Sequence, residues 1–180
     1  MKNVMLLFAF ILCTNFAIAQ DKKITKTGKI VFEGSVPSFE EIKAENNSVT
    51  CILNTKTGEI ASLALVKGFR FKVALMEEHF NENYIESSKY PKATYKGKIQ
   101  GFDVAALTAT AKEYKMVGTM ELHGKSKQIT TTAMIRKVGD GIEIVSNFIL
   151  NTDDYAIDIP KVVSKKVSKT ISVKTVFLVK

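Results

Sequence analysis

Apolar residues recur at every second position in short runs through most of this chain, and turn residues interrupt the runs. That period belongs to strands with one face buried. Residues 24–34 read as a first strand, with Ile30 and Phe32 on one face. Residues 35–44 hold Pro37, Phe39 and Ile42 and read as a loop or a single helical turn. Asn46-Asn47 is a turn signal, followed by a strand over 48–54 and a hairpin at 55–58 into a strand over 59–65. Further strands are expected over 93–99, 114–122, 128–136, 141–151 and 168–180. Hairpin turns are expected at 123–126 and 138–141, and an irregular stretch at 151–167. Residues 101–111 fit either a loose strand or a helical turn. No repeat at a solenoid or propeller period is present. About eight or nine strands on short turns define an antiparallel sandwich or an up-and-down barrel.

Residues 69–100 depart from this pattern. Phe69, Phe71 and Val73 alternate as a strand. Leu75, Met76, His79 and Phe80 then fall at i, i+1, i+4 and i+5 among Glu77, Glu78, Asn81 and Glu82, which predicts an amphipathic helix of two or three turns. Such a helix is too short to stand alone and must dock on an apolar surface. Tyr90-Pro91 ends the connection, because a residue before proline avoids the helical region.

The first nineteen residues read as a cleavable export leader. Lys2 precedes an apolar run from Val4 to Cys13, and Ala17-Ile18-Ala19 forms a small-x-small cleavage site, so the mature domain spans 20–180. Leu12 before Cys13 does not fit a lipoprotein signal. A periplasmic or secreted location follows. Cleavage leaves Cys51 as the sole cysteine, so no internal disulfide supports the fold, and Cys51 is expected to act as a small buried hydrophobe. The net charge is +8, or +7 once Lys2 is removed. The lysines are dispersed and the chain is exported, which argues against nucleic acid and favours transient contact with an anionic membrane surface or an anionic ligand.

Catalytic constellations are weak. His79 and His123 are the only imidazoles, and a zinc site needs three or four ligands. His79 lies beside Glu78 and near Glu82, but this spacing matches no metal pattern, so no metal and no cofactor are expected. Each histidine is expected to make a structural hydrogen bond, His123 within its hairpin and His79 where helix meets sheet. No G-x-S-x-G elbow and no phosphate-cradling glycine loop occurs. Asp153-Asp154 reads as a turn or helix cap. The protein is therefore read as a non-enzyme. Lys161, Lys165, Lys166 and Lys169 form a basic junction, either a solvated edge or a positive rim for a phosphate or lipid headgroup.

The order of features carries a family resemblance. Phe69 and Phe71 precede Met76, His79, Phe80, Asn81, Glu82 and Tyr84; then come S-S-K-Y-P-K-A-T-Y-K-G at 88–97 with its preceding serine, Y-K-M-V-G-T-M-E-L-H-G-K-S-K at 114–127, and N-T-D-D-Y-A-I-D-I-P at 151–160. This resembles the YceI-like family over nearly the whole mature chain. The resemblance implies an all-β, antiparallel, lipocalin-like barrel of about eight strands with one or two short helices near its mouth. It also implies that the barrel encloses an isoprenoid or other long apolar ligand. Phe71, Met76, Phe80, Tyr84, Met120, Phe148 and Phe177 are the candidate lining residues, with His79, Tyr90 or the 161–169 rim meeting a headgroup. The competing expectation is a non-catalytic structural or interaction module whose barrel is filled by its own side chains.

Overall fold

The computed structural model describes residues 21–180; the leader and its cleavage site lie outside them. Nine strands form one antiparallel sheet: β1 Lys22–Ser35, β2 Lys43–Asn54, β3 Glu59–Leu65, β4 Arg70–Phe71, β5 Lys92–Ile99, β6 Lys112–Leu122, β7 Lys125–Val138, β8 Gly141–Asn151 and β9 Val167–Val179. The order is β1-β9-β8-β7-β6-β5-β3-β2-β4, and β1 also pairs with β2. That last pairing joins the two ends of the sheet. Eight strands close into a barrel, which removes the edge hydrogen-bonding groups an open sheet would expose, while the two-residue β4 hangs on β2 beside the rim.

Alternation sets which side chains point inward. On β9, Val173, Thr175, Phe177 and Val179 are buried while Ser172, Lys174 and Leu178 face solvent. One end of the barrel is solid. Leu53, Ile60, Ile99, Tyr114, Ile135, Ile142 and Val179 meet there, each 6% exposed or less. Buried aliphatic side chains of this kind contribute about 1.5–3 kcal/mol each. Gly28 makes room in the wall: a Cβ there would lie 2.5 Å from Cδ1 of Phe177. The connections at this end are short turns and the 100–111 loop. The opposite end carries the long connections: 36–42 between β1 and β2, 66–91 between β3 and β5, and 152–166 between β8 and β9.

Two local expectations are corrected. Asn46-Asn47 is not a turn but part of β2, where the register against β1 slips between Gly28 and Ile30. Asn46 is 1% exposed. Its Oδ1 accepts from the Ser48 amide at 2.9 Å and its Nδ2 donates to the Leu65 carbonyl at 3.0 Å. The side chain supplies a local turn-like bond inside a bulge, so the composition of a turn appears within a strand. Residues 69–73 are not a full strand either. Only Arg70 and Phe71 pair, because the chain must lift off the barrel to begin the helix α1, Ala74–His79. A single π-helical turn, Phe80–Tyr84, extends α1.

Candidate functional site

The half of the barrel beneath the long connections is hollow. It holds a cavity of about 360 Å³, within the roughly 300–1,000 Å³ of small-molecule sites. Phe177, Ile144, Met116 and Ile60 form its floor, above the solid end. Met120, Leu122, Phe148, Leu150, Ile171 and Val173 line the upper wall. Each long connection contributes to the mouth: Phe39 and Ile42 from 36–42, Met76, His79, Phe80 and Tyr84 from the helical segment, and Ile157, Ile159, Val163 and Lys166 from 152–166. The expectation of a barrel filled throughout describes the floor half alone.

The helical segment is held down by aromatic packing. Phe80 lies 5.3 Å from Phe32, 5.2 Å from Phe71 and 6.1 Å from Phe69, centroid to centroid. Such pairs add about 0.5–1.5 kcal/mol each beyond their burial. Leu75 points the other way and is 57% exposed. Arg70 and the Phe71 amide both bond to the Glu77 carboxylate, which ties α1 to β4.

His123 does more than cap its hairpin. Its Nδ1 lies 2.9 Å from the Tyr155 carbonyl and its Nε2 2.9 Å from the Glu86 carboxylate. Both partners are acceptors, so both bonds form together only when both ring nitrogens carry protons. Tyr90 packs edge-on against the same ring at 4.4 Å. One imidazole thus fastens the lid segment, the β6–β7 hairpin and the 152–155 turn to one another. The backbone is strained at this junction: Glu86, His123 and Ala156 all have positive φ, at 47°, 50° and 53°. Left-handed geometry costs an L-residue about 1–2 kcal/mol.

Phe71, Met76, His79, Phe80, Tyr84, Met120, Phe148 and Phe177 therefore all line the cavity. Tyr90 does not; it belongs to the His123 clasp. Lys169 leaves the basic rim as well, because it pairs with Asp153 at 2.9 Å. Lys161, Lys165 and Lys166 are exposed. Thr152 and Tyr155 face the cavity and were not foreseen. They sit on a 3₁₀ turn, Thr152–Tyr155, where no two-residue period marks the inward side; the Asn151 side chain caps that turn by accepting from the Asp153 amide. Cys51 is fully buried, and burial pushes its thiol up to about 12. Among the described residues no group of three or more His, Cys, Asp or Glu side chains is placed to hold a metal ion.

A closed antiparallel barrel with one solid end, one lidded mouth and an apolar hollow between them belongs to the class of small barrels built to enclose an apolar ligand. Within that class the chain belongs to the YceI-like family, whose domain model matches residues 16–177. Solved structures agree on the fold. A polyisoprenoid binding domain from Saccharophagus degradans, implicated in plant cell wall breakdown, superposes with a TM-score of 0.73 at 17% identity, covering 89% of this chain and 98% of that one. Burkholderia cenocepacia BcnA gives 0.69 at 13% identity, covering 84% and 96%. The Campylobacter jejuni YceI protein gives 0.59 at 16% identity, covering 81% and 89%. A comparison with curated proteins finds no match.

Proposed function

We propose that this protein is an exported, non-catalytic carrier that shields a long apolar chain of isoprenoid type from water. The observation that carries this reading is the apolar hollow, floored by packed side chains and roofed by a clasped lid. Each methylene moved from water into it contributes about 0.8 kcal/mol before the cost of ordering the ligand. The likeness to a polyisoprenoid binding domain supports the ligand class, and the leader-like residues 1–19 support a periplasmic or secreted site of action. The side chains at the cavity carry no nucleophile–base pair and no metal set, in keeping with binding rather than turnover.

Loading and release require a lipid source, and the mouth has the chemistry to touch an anionic membrane surface transiently. Val162 is 91% exposed at the tip of the 156–166 loop, flanked by Lys161, Lys165 and Lys166. Phe39 and Leu75 are exposed on the other two mouth segments. An apolar tip among lysines suits the boundary of an anionic bilayer.

The test is extraction of lipid from the protein purified out of its own exported compartment, with mass spectrometry of the extract. One isoprenoid per protein is the expected result. Absence of any apolar ligand, together with failure of the folded protein to take up an apolar fluorophore, overturns the reading.

A further inference from the structure

Three hydroxyl oxygens on cavity-lining side chains are buried without a hydrogen-bond partner: the Tyr95 and Tyr155 phenols and Thr152 Oγ1. Tyr155 is 1% exposed and Thr152 is 7% exposed. Unpartnered buried hydroxyls are rare in native proteins, and each costs the free energy of its lost hydration. Here they gather on one side of the hollow. Tyr95 is on β5, opposite Met120 of β6. Tyr155 packs in the same cluster as Ala93 of β5, and its carbonyl is bound by His123 of the β6–β7 hairpin. Tyr95 is also fixed in place. Its ring lies over Gly97 and Gly118, which face each other across β5 and β6, and a Cβ on either would collide with it. Burial raises both phenols above the usual tyrosine range, so both remain neutral O–H groups.

The charged side chains among the lining residues are Glu40 and Lys166, both exposed at the mouth. Nothing within the wall would neutralise a buried phosphate, whose desolvation is prohibitive without a paired cation. We infer that Tyr95, Tyr155 and Thr152 form a neutral polar subsite inside the cavity, selecting an apolar chain that carries one uncharged hydrogen-bonding group, such as a hydroxyl or carbonyl. The inference rests on the carrier reading above and narrows its ligand class: any phosphate stays at the mouth beside Lys166.

The experiment measures displacement of a cavity-bound apolar fluorophore by phytol, by its hydrocarbon counterpart phytane and by phytyl phosphate. It uses wild type, Tyr95→Phe, Tyr155→Phe and the double variant. Each single variant is expected to weaken phytol about 3- to 10-fold, the worth of one hydrogen bond, and to leave phytane unchanged. Ligand-free thermal stability is expected to hold or rise, since an unpartnered hydroxyl has been removed. Equal affinity of the double variant and wild type for phytol overturns the subsite. So does parallel loss of phytol and phytane with a lower melting temperature, which marks the hydroxyls as structural. A phosphate affinity that falls with the phenols shows the headgroup inside and overturns the neutral assignment. If wild type binds none of the three probes, the carrier reading falls and takes the subsite with it.

Discussion

Replacing His123 by alanine tests whether the lid is held by one clasp. The substitution removes two bonds of 2.9 Å and an edge contact with Tyr90 at 4.4 Å. The bond to the Tyr155 carbonyl is enclosed and is worth about 1 kcal/mol net. The Glu86 carboxylate is 44% exposed, so its pairing belongs near the surface value of about 0.5 kcal/mol. The Tyr90 contact adds about 1 kcal/mol. His123→Ala is therefore expected to cost about 2–3 kcal/mol in urea unfolding, and roughly 5–10 °C in melting temperature for a domain of this size. His123→Gly is expected to cost less than alanine despite being smaller, because glycine relieves the left-handed φ of 50°. Both variants leave the cavity wall intact, so an apolar fluorophore still binds, but it dissociates faster through a loosened mouth. Unfolding within about 0.5 kcal/mol of wild type together with an unchanged dissociation rate refutes the clasp.

Three further outcomes follow from the geometry. A Cβ at Gly118 would meet Gly97 Cα at 2.5 Å and the Lys96 carbonyl as well; backbone cannot yield there, and Gly118→Ala is expected to lose at least about 2 kcal/mol in chemical denaturation. The Cys51 thiol ionises at about 12 in the fold against 9.0 unperturbed, so its contribution to stability is complete below pH 9 and is lost as pH rises towards 12. The folded protein is thus expected to resist thiol reagents at pH 9, and Cys51→Ala to flatten the alkaline limb of the stability–pH curve; rapid labelling of the native state refutes this. Finally, Lys165→Glu combined with Lys166→Glu is expected to abolish co-sedimentation with phosphatidylglycerol vesicles while leaving fluorophore uptake unchanged; undiminished sedimentation refutes membrane contact at the mouth.

Sequence periodicity resolves this fold well because a strand with one buried face writes its environment into every second residue. The alternation of Ile142, Ile144, Phe148 and Leu150, or of Val173 and Phe177, needs no structure to interpret. Asn46 shows where composition misleads: an asparagine that makes a turn-like bond inside a bulge looks like a turn. Phe69 to Val73 alternates too, yet only Arg70 and Phe71 pair, since alternation reports side-chain direction and says nothing about a partner strand. Tyr90 was conspicuous for its aromatic ring and proves to brace His123. Thr152 and Tyr155 were inconspicuous in a turn-like N-T-D-D-Y, because a 3₁₀ turn gives no repeating cue to its inward side. The unpartnered hydroxyls were invisible in the sequence, where every tyrosine has the same letter whether or not its oxygen finds a bond.

The solid floor of the barrel gives the molecule a direction. With Leu53, Ile99, Ile135 and Val179 sealing one end, a chain that enters must leave by the same opening, in reverse order. Whichever terminus goes in first comes out last, so a passenger is received and surrendered with its polarity preserved. The depth of the hollow also acts as a gauge: a passenger longer than the space leaves its remainder standing in the doorway, available to the surface or protein that receives it.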